Sequence, residues 1–152
     1  MKAAVIYYSK SGTTKKIAEK VASAFEAELY FVEPEKAYGS YISAVVRVAG
    51  EKLTKKDPVL KTEIADFSSY DTVFIGFPVW YSTLPKHLQE YISKADLAGK
   101  RVIPFATAGA NGKESSLETV KKLCPKSNIT DYFYTSMTTK ADVDAWLKGI
   151  KE

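Results

Sequence analysis

Four hydroxyl side chains crowd a short segment between an apolar run and a helix-like pattern. Ser9, Ser11, Thr13 and Thr14 fall within six residues of the stretch YYSKSGTTKKIA, with Gly12 among them. A helix start presents unpaired N–H groups and the positive end of the helix dipole, which favour an anion. Glycine lets the backbone come close, and hydroxyls donate hydrogen bonds without adding charge. The segment predicts a site for a terminal phosphate ester, formed by Ser9, Lys10, Ser11, Gly12, Thr13 and Thr14.

Two other phosphate-binding motifs do not match this segment. The P-loop pattern needs a lysine directly after its second glycine, but Thr13 follows Gly12. The dinucleotide fingerprint needs three spaced glycines, and this segment has one. The residues therefore indicate a mononucleotide phosphate rather than a triphosphate or a pyrophosphate. The alternative is a Ser/Thr-capped turn in which Lys10 is solvated and no ligand binds.

Strand-like runs and helical patterns alternate along the chain. Apolar, β-prone runs occur at residues 3–8, 28–33, 72–76, 100–107 and 129–135. Apolar positions at helical spacing follow each run, at residues 17–25, 42–53, 84–92, 117–124 and 143–150. Thr139 with Asp142 resembles a capping box for the last helix. Five strand–helix units predict an α/β fold with a doubly wound, five-stranded parallel sheet and helices on both faces. Right-handed crossovers leave few strand orders for such a sheet, and the order expected here is 2-1-3-4-5.

Two further unusual loops are expected at the same sheet edge as the hydroxyl segment. One follows the third strand and reads GFPVWYST, and the other follows the fourth strand and reads TAGANG. In a parallel sheet of this order, strands one, three and four are neighbours, so their following loops surround one crevice. We call these the first loop (residues 9–14), the second loop (residues 76–83) and the third loop (residues 107–112).

On these motifs the sequence resembles the flavodoxin family. The family's phosphate loop reads hydroxyl, any residue, hydroxyl, glycine, any residue, threonine, and Ser9, Ser11, Gly12 and Thr14 match it position by position. The likeness extends to PVWY at 78–81, to GKRVIPFATAGANG at 99–112 and weakly to KKDPVL at 55–60, and it covers essentially the whole chain. The fifth strand lacks the long insertion of larger members, so the chain is similar to short-chain flavodoxins. The resemblance implies non-covalently bound FMN as the cofactor.

A flavin ring would lie against the second and third loops. Aromatic side chains stack on flat, largely apolar rings, so Trp80 and Tyr81 are expected to do this, with Trp80 favoured by its match to the family. The alternative is that both aromatics pack beneath the loop. Backbone groups of residues 107–109 are expected at the polar edge of the ring, unless this loop is an ordinary turn. The cofactor residues expected here are Pro78, Val79, Trp80, Tyr81, Ser82, Thr107, Ala108, Gly109 and Gly112.

Two features depart from the family pattern. Many flavodoxins carry a glycine beside the flavin, where a peptide flip stabilises the one-electron reduced ring. This chain has no glycine between Gly76 and the next helix, so we expect positive φ to be less accessible in the second loop. Flavodoxins are commonly acidic, whereas this chain has a net charge of +4. The charge indicates either a redox partner protein with an acidic docking surface or a role other than ferredoxin replacement.

Length and composition exclude several classes of protein. The 152 residues suit one domain over residues 1–152, and acids and bases are interleaved along the chain. No basic block of nucleic-acid-binding type, no apolar stretch of membrane-spanning length and no signal-peptide pattern is found. We therefore expect a cytoplasmic protein, a monomer or weak dimer, with neither nucleic acid nor membrane as a partner.

The sequence contains no convincing catalytic or metal-ligating cluster. His87 is the only histidine and is expected to be a solvated or locally bonded helix residue, while Cys124, the only cysteine, is expected to pack in the core. The leading interpretation is an FMN-binding electron-transfer protein in which the cofactor supplies the redox chemistry. The alternative is an NAD(P)H-dependent FMN or quinone oxidoreductase that uses the same crevice.

Overall fold

The computed structural model describes residues 1–34 and 60–151. The helix predicted over residues 42–53 lies outside these residues. The strands are β1 (Ala3–Tyr7), β2 (Glu28–Phe31), β3 (Thr72–Pro78), β4 (Arg101–Ala108), β5 (Asn128–Ile129) and β6 (Phe133–Ser136). The helices are α1 (Thr13–Phe25), α2 (Lys86–Lys94), α3 (Lys113–Leu123) and α4 (Val143–Lys151). Between Leu60 and β3 the chain runs as a loop.

Every strand pairing in the sheet is parallel. The order is β2-β1-β3-β4, and β5 and β6 pair one after the other along the far side of β4. The register places Tyr7 beside Gly76, and Pro78 beside Thr107. The carboxyl ends of β1, β3 and β4 therefore meet at one edge, as the doubly wound α/β prediction requires.

The two faces of the sheet each have a core of their own, because side chains alternate along a strand. Ala3, Val5 and Tyr7 of β1 pack with Ile17 of α1 and Leu147 of α4. The intervening residues of β1 join the other core, which includes the buried residues of α2 and α3. Helices thus cover both faces, which confirms the predicted layering.

The fifth strand was predicted as one run over residues 129–135, and the structure differs from this. It is divided into β5 and β6, and Asp131 between them has a left-handed backbone, with φ 54°. The Arg101 side chain donates to Thr130 Oγ1 at 2.9 Å and to the Asp131 carboxylate at 2.5 Å. Trp146 Nε1 donates to the Asp131 carbonyl at 2.7 Å. These partners are distant in sequence, so the apolar pattern of the run could not reveal the break.

The start of α4 also differs from its prediction. Asp142 Oδ1 accepts a hydrogen bond from Ala145 N at 3.1 Å and so caps the helix. Thr139 does not take part in a capping box, because it closes the turn after β6. Its N–H donates to Ser136 Oγ at 2.9 Å, and its carbonyl accepts from Ser136 N at 3.0 Å.

Over the described ranges, none of the helices combines the length and the apolar character that crossing a bilayer would need.

Candidate functional site

The start of α1 is shaped to receive an anion. Gly12 precedes the helix with φ 95°, and its N–H donates to Ser9 Oγ at 3.0 Å. The first helical hydrogen bond runs from Lys16 N to Gly12 O at 3.0 Å, so the N–H groups of residues 13–15 precede the helical ladder. A Cβ atom placed on Gly12 would meet nothing within 4 Å, which leaves open space above the helix start. The first turn carries no acidic residue, so nothing there opposes a negative charge.

A buried pair of hydroxyls joins the first loop to the third. Thr14 Oγ1 and Thr107 Oγ1 lie 2.9 Å apart, and the two residues are 2% and 8% exposed. One hydroxyl of the pair donates to the other, so a second proton is still available for another acceptor. Lys10, Ser11 and Thr13 are exposed beside the pair, as a loop that meets a ligand requires. Their contact with phosphate stays a prediction.

The second loop contains a tight turn, which we call the 80–83 turn. Trp80 N donates to Thr83 O at 2.9 Å, and Thr83 N donates to Trp80 O at 3.1 Å. Its two central residues, Tyr81 and Ser82, have φ values of 52° and 63°. The second loop therefore adopts positive φ at two positions although neither is a glycine. This conformation costs about 1–2 kcal/mol for each residue with a side chain, so contacts from elsewhere must maintain it.

Helix α3 supplies two of those contacts. Ser115 Oγ donates to the Ser82 carbonyl at 2.7 Å. One turn later, Thr119 Oγ1 lies 2.9 Å from Thr83 Oγ1. Ser82 and Thr83 of the turn are thus both bonded to the same side of α3.

Close packing against Gly112 adds a third contact. Gly112 precedes α3 with φ 110°, and a Cβ there would lie 2.6 Å from Val79 Cγ1 and 3.1 Å from Ser82 Cα. Only a glycine permits this approach of the third loop to the second. Val79 N also donates to Thr107 O at 2.8 Å, which ties the two loops at their bases. The structure therefore gives Val79 and Gly112 a packing role, and their contact with a cofactor stays a prediction.

The far side of the third loop is bonded to the chain after β6. Met137 N lies 3.1 Å from Ala108 O and 3.2 Å from Gly109 O. Tyr134 Oη donates to the Ala110 carbonyl at 3.1 Å. Burial raises the pKa of Tyr134, so its hydroxyl keeps the proton it donates at neutral pH. These contacts leave the third loop little freedom on that side.

The aromatic residues of the second loop differ in exposure. Trp80 is half-buried, with its ring 5.8 Å from that of Tyr8 at 78°, whereas Tyr81 is 42% exposed. The ring of Tyr8 also meets that of His87 edge to face, with centroids 4.4 Å apart. His87 is fully buried, so of the two alternatives expected for it, a solvated or a locally bonded helix residue, the solvated one is wrong. Stacking of Trp80 or Tyr81 on a flavin stays a prediction.

Sequence reasoning missed the residues that support the loops from outside. Ser115 and Thr119 are four positions apart, which places both hydroxyls on one face of α3. That spacing, directly after a glycine-bearing loop, was the available signal. Tyr8 and His87 left no comparable signal, because their contact joins a strand end to a helix start.

The described residues contain neither a cluster of potential metal ligands nor a reactive thiol. Residues 1–34 and 60–151 contain no group of three or more potential metal ligands. Cys124 is 5% exposed, and burial raises the pKa of its thiol to about 11. It is a packing residue, as predicted.

Comparisons with known proteins agree with this geometry. The chain is 31% identical to a candidate flavoprotein from Bacteroides eggerthii DSM 20697, with a TM-score of 0.82 and coverage of 99% of this chain and 98% of that chain. It is 29% identical to a candidate flavoprotein from Bacteroides uniformis ATCC 8492, with a TM-score of 0.84 and the same coverage. A Lactobacillus acidophilus NCFM flavoprotein crystallised with FMN shares the fold, with 22% identity, a TM-score of 0.75 and coverage of 95% and 97%.

No curated protein matches the sequence. A family model described as flavodoxin matches residues 2–150. Because that match spans nearly all of the sequence, the chain belongs to the flavodoxin family.

Proposed function

We propose that this chain binds FMN non-covalently in the crevice between its three loops and carries electrons between redox partners. The observation that carries the proposal is the donor set at the start of α1. The Gly12 N–H donates to Ser9 Oγ, and the open, acid-free helix start is joined to the third loop through the Thr14–Thr107 pair. The FMN complex of the Lactobacillus acidophilus protein, which has the same fold, supports this choice of cofactor.

The phosphate of FMN fits the first loop by its charge and its need for donors. A phosphate monoester carries a charge between −1.5 and −2 at neutral pH and has three acceptor oxygens. The N–H groups of residues 13–15 and the hydroxyls of Ser9 and Ser11 can donate to it. Lys10, Lys15 and Lys16 add positive charge around the same place. We therefore assign the phosphate to this loop.

The ring of FMN fits the remaining two loops. When bound, FMN supplies the redox chemistry, and the protein binds, orients and shields it. Trp80 and Tyr81 offer aromatic surface, and the ring of Tyr8 packs edge to face against that of Trp80. Backbone groups of residues 107–109 are assigned to the polar edge of the ring, where N–H donors favour negative charge on the reduced flavin.

The residue types in the three loops support a carrier role. Residues 9–14, 76–83 and 107–112 include no carboxylate, histidine or cysteine. The loops can bind and shield a redox group, and they offer no carboxylate, imidazole or thiol as an acid, base or nucleophile for a substrate. Electron transfer needs none of these groups.

The proposed partner is a protein with an acidic docking surface. Lys10 and Lys113 are exposed at the first and third loops, and Lys140 is exposed beyond β6. Together with the net charge of +4, they favour attraction to negative charge on a partner. Electron transfer to such a partner is expected to slow as salt concentration rises.

Titration of the apo-protein with FMN and with riboflavin, followed by the quenching of flavin fluorescence, tests the proposal. We expect FMN to bind with micromolar or lower Kd and riboflavin at least about tenfold more weakly, because riboflavin lacks the charge-assisted hydrogen bonds. Equal affinities, or no binding of FMN, would refute the site. Anaerobic addition of NADH or NADPH then separates the roles. Rapid bleaching of the bound flavin would favour the oxidoreductase, and slow bleaching the carrier.

A further inference from the structure

One peptide group of the 80–83 turn is bonded at both ends. Its carbonyl, on Ser82, accepts the hydroxyl proton of Ser115 at 2.7 Å. Its N–H, on Thr83, donates to the Trp80 carbonyl at 3.1 Å. Ser115 belongs to α3 and lies 33 residues further along the chain. The orientation of this peptide group therefore depends on a side chain outside the turn.

The same helix contacts the turn at two more places. Thr119 Oγ1 lies 2.9 Å from Thr83 Oγ1, and the packing at Gly112 leaves no room for a Cβ beside Ser82 Cα. These contacts come from the first two turns of α3 and the residue before it. The helix and the turn are thus joined as one unit.

The turn needs this support because its conformation is unfavourable by itself. Both central positions of a two-residue turn of this type prefer glycine, asparagine or aspartate, yet Tyr81 and Ser82 occupy them at φ 52° and 63°. Non-glycine residues in this region persist only where the surroundings determine them. The Ser115 hydroxyl acts directly on the turn backbone, because it donates a hydrogen bond to the Ser82 carbonyl.

We propose that Ser115 is a positioning residue for the cofactor. By holding the Ser82 carbonyl, it fixes the backbone of the 80–83 turn in the orientation that faces the flavin ring. This inference rests on the proposed function, which places FMN against the second loop. Oxidised and reduced flavins differ in charge and protonation, so a fixed backbone dipole beside the ring interacts with them unequally. Ser115 therefore tunes both the affinity for FMN and the midpoint potential without touching the ring.

The test compares four variants in the full chain. Ser115→Ala removes the hydroxyl, and Ser115→Thr retains one. Ser93→Ala is the matched control, because the Ser93 hydroxyl also donates to a backbone carbonyl, that of Glu90 at 2.7 Å, on an exposed part of α2. Thr119→Val removes the second hydroxyl contact and provides an independent variant if Ser115→Ala folds poorly. The readouts are amide hydrogen exchange in the apo-protein, the Kd for FMN and the midpoint potential of the bound flavin.

For Ser115→Ala we expect exchange at the amides of Trp80 and Thr83 to quicken at least about tenfold, in line with a lost hydrogen bond. We expect the Kd for FMN to rise about five- to tenfold and the midpoint potential to shift. Thr119→Val should change each quantity in the same direction by less. Ser115→Thr and Ser93→Ala should resemble the wild type.

Unchanged exchange in Ser115→Ala would overturn the inference, and so would faster exchange with unchanged Kd and potential. Failure of the wild type to bind FMN would refute the proposed function and, with it, the role of Ser115 toward the cofactor. The exchange data would still report on the turn itself, so the two failures are distinguishable.

Discussion

The hydroxyl oxygens of Thr14 and Thr107 lie 2.9 Å apart, although the two residues are 93 positions apart in the sequence. Thr14 is in the first turn of α1, and Thr107 is near the end of β4. Both residues are almost completely buried, so neither hydroxyl can exchange its partner for bulk water. The pair fixes the helix start that is assigned to the phosphate relative to the loop that is assigned to the ring.

Thr14→Val is expected to destabilise the apo-protein by about 1–3 kcal/mol, because it leaves the buried Thr107 hydroxyl without its partner. The double variant Thr14→Val with Thr107→Val is expected to recover part of that loss, since both polar groups are then removed. Urea unfolding measures both changes. Thr13→Val, at an exposed neighbouring position, is the control and should be near neutral. Additive losses in the double variant would contradict a direct pair.

Gly12→Ala is expected to lower the free energy of unfolding by about 1–2 kcal/mol and to weaken FMN binding. The added Cβ meets no atom within 4 Å, so the cost comes from φ 95° alone. Gly149→Ala is the matched control, because Gly149 lies in α4 and a Cβ there also meets no atom within 4 Å. It should stabilise the chain by about 0.5–1 kcal/mol. Thermal unfolding with and without FMN compares the stabilities of the two variants. Equal changes in stability for Gly12→Ala and Gly149→Ala would argue against a left-handed backbone at Gly12.

Asp131→Asn is expected to lower stability at pH 7 by up to about 1 kcal/mol, a small effect because both partners of the ion pair with Arg101 are partly exposed. Hydrogen bonds from the side chains of Arg101 and Thr130 lower the pKa of the Asp131 carboxyl. Because its pKa is lower in the folded state, the ionised Asp131 stabilises the fold at pH values above its pKa in the unfolded chain, about 3.9. This stabilisation is lost as the pH falls through the pKa of the folded state. Asparagine tolerates the left-handed backbone, so the substitution isolates the charge.

Stability measured by urea unfolding between pH 7 and pH 2.5 checks this prediction. The difference in free energy of unfolding between the wild type and Asp131→Asn should become smaller as the pH falls toward 2.5. Asp144→Asn serves as the control, because the Asp144 side chain is 78% exposed beside Lys20 and should contribute little at any pH. A gap for Asp131→Asn that is constant down to pH 2.5 would contradict the role of its charge.

Cys124 is expected to resist thiol reagents in the folded protein. Its thiol pKa of about 11 leaves roughly a thousandth as thiolate at pH 8, and its side chain is buried. Labelling with a chromogenic disulfide should therefore be slow in buffer and rapid in denaturant. The only cysteine of the chain gives a single signal, so the two rates compare directly. Rapid labelling of the native protein would contradict core packing.

Much of the fold was predictable because its signals are local. The apolar runs around Ala3–Tyr7 and Thr72–Pro78 have the length and composition of buried strands, and the structure confirms them. The hydroxyls around Gly12 also form a local pattern, since a helix start uses residues that are adjacent in sequence. The break at Asp131 was not predictable, because Arg101 and Trp146 maintain it from other elements.

The sequence alone determined the alternation of strands and helices and the position of the phosphate-type loop, because each depends on neighbouring residues. Only the tertiary structure decided how the loops are held. The Thr14–Thr107 pair, the hydrogen bond from Ser115 to Ser82 and the left-handed Tyr81 depend on residues that folding brings together. Such contacts offset a local backbone cost with partners far along the chain, and a local pattern does not show which distant residue a side chain will contact.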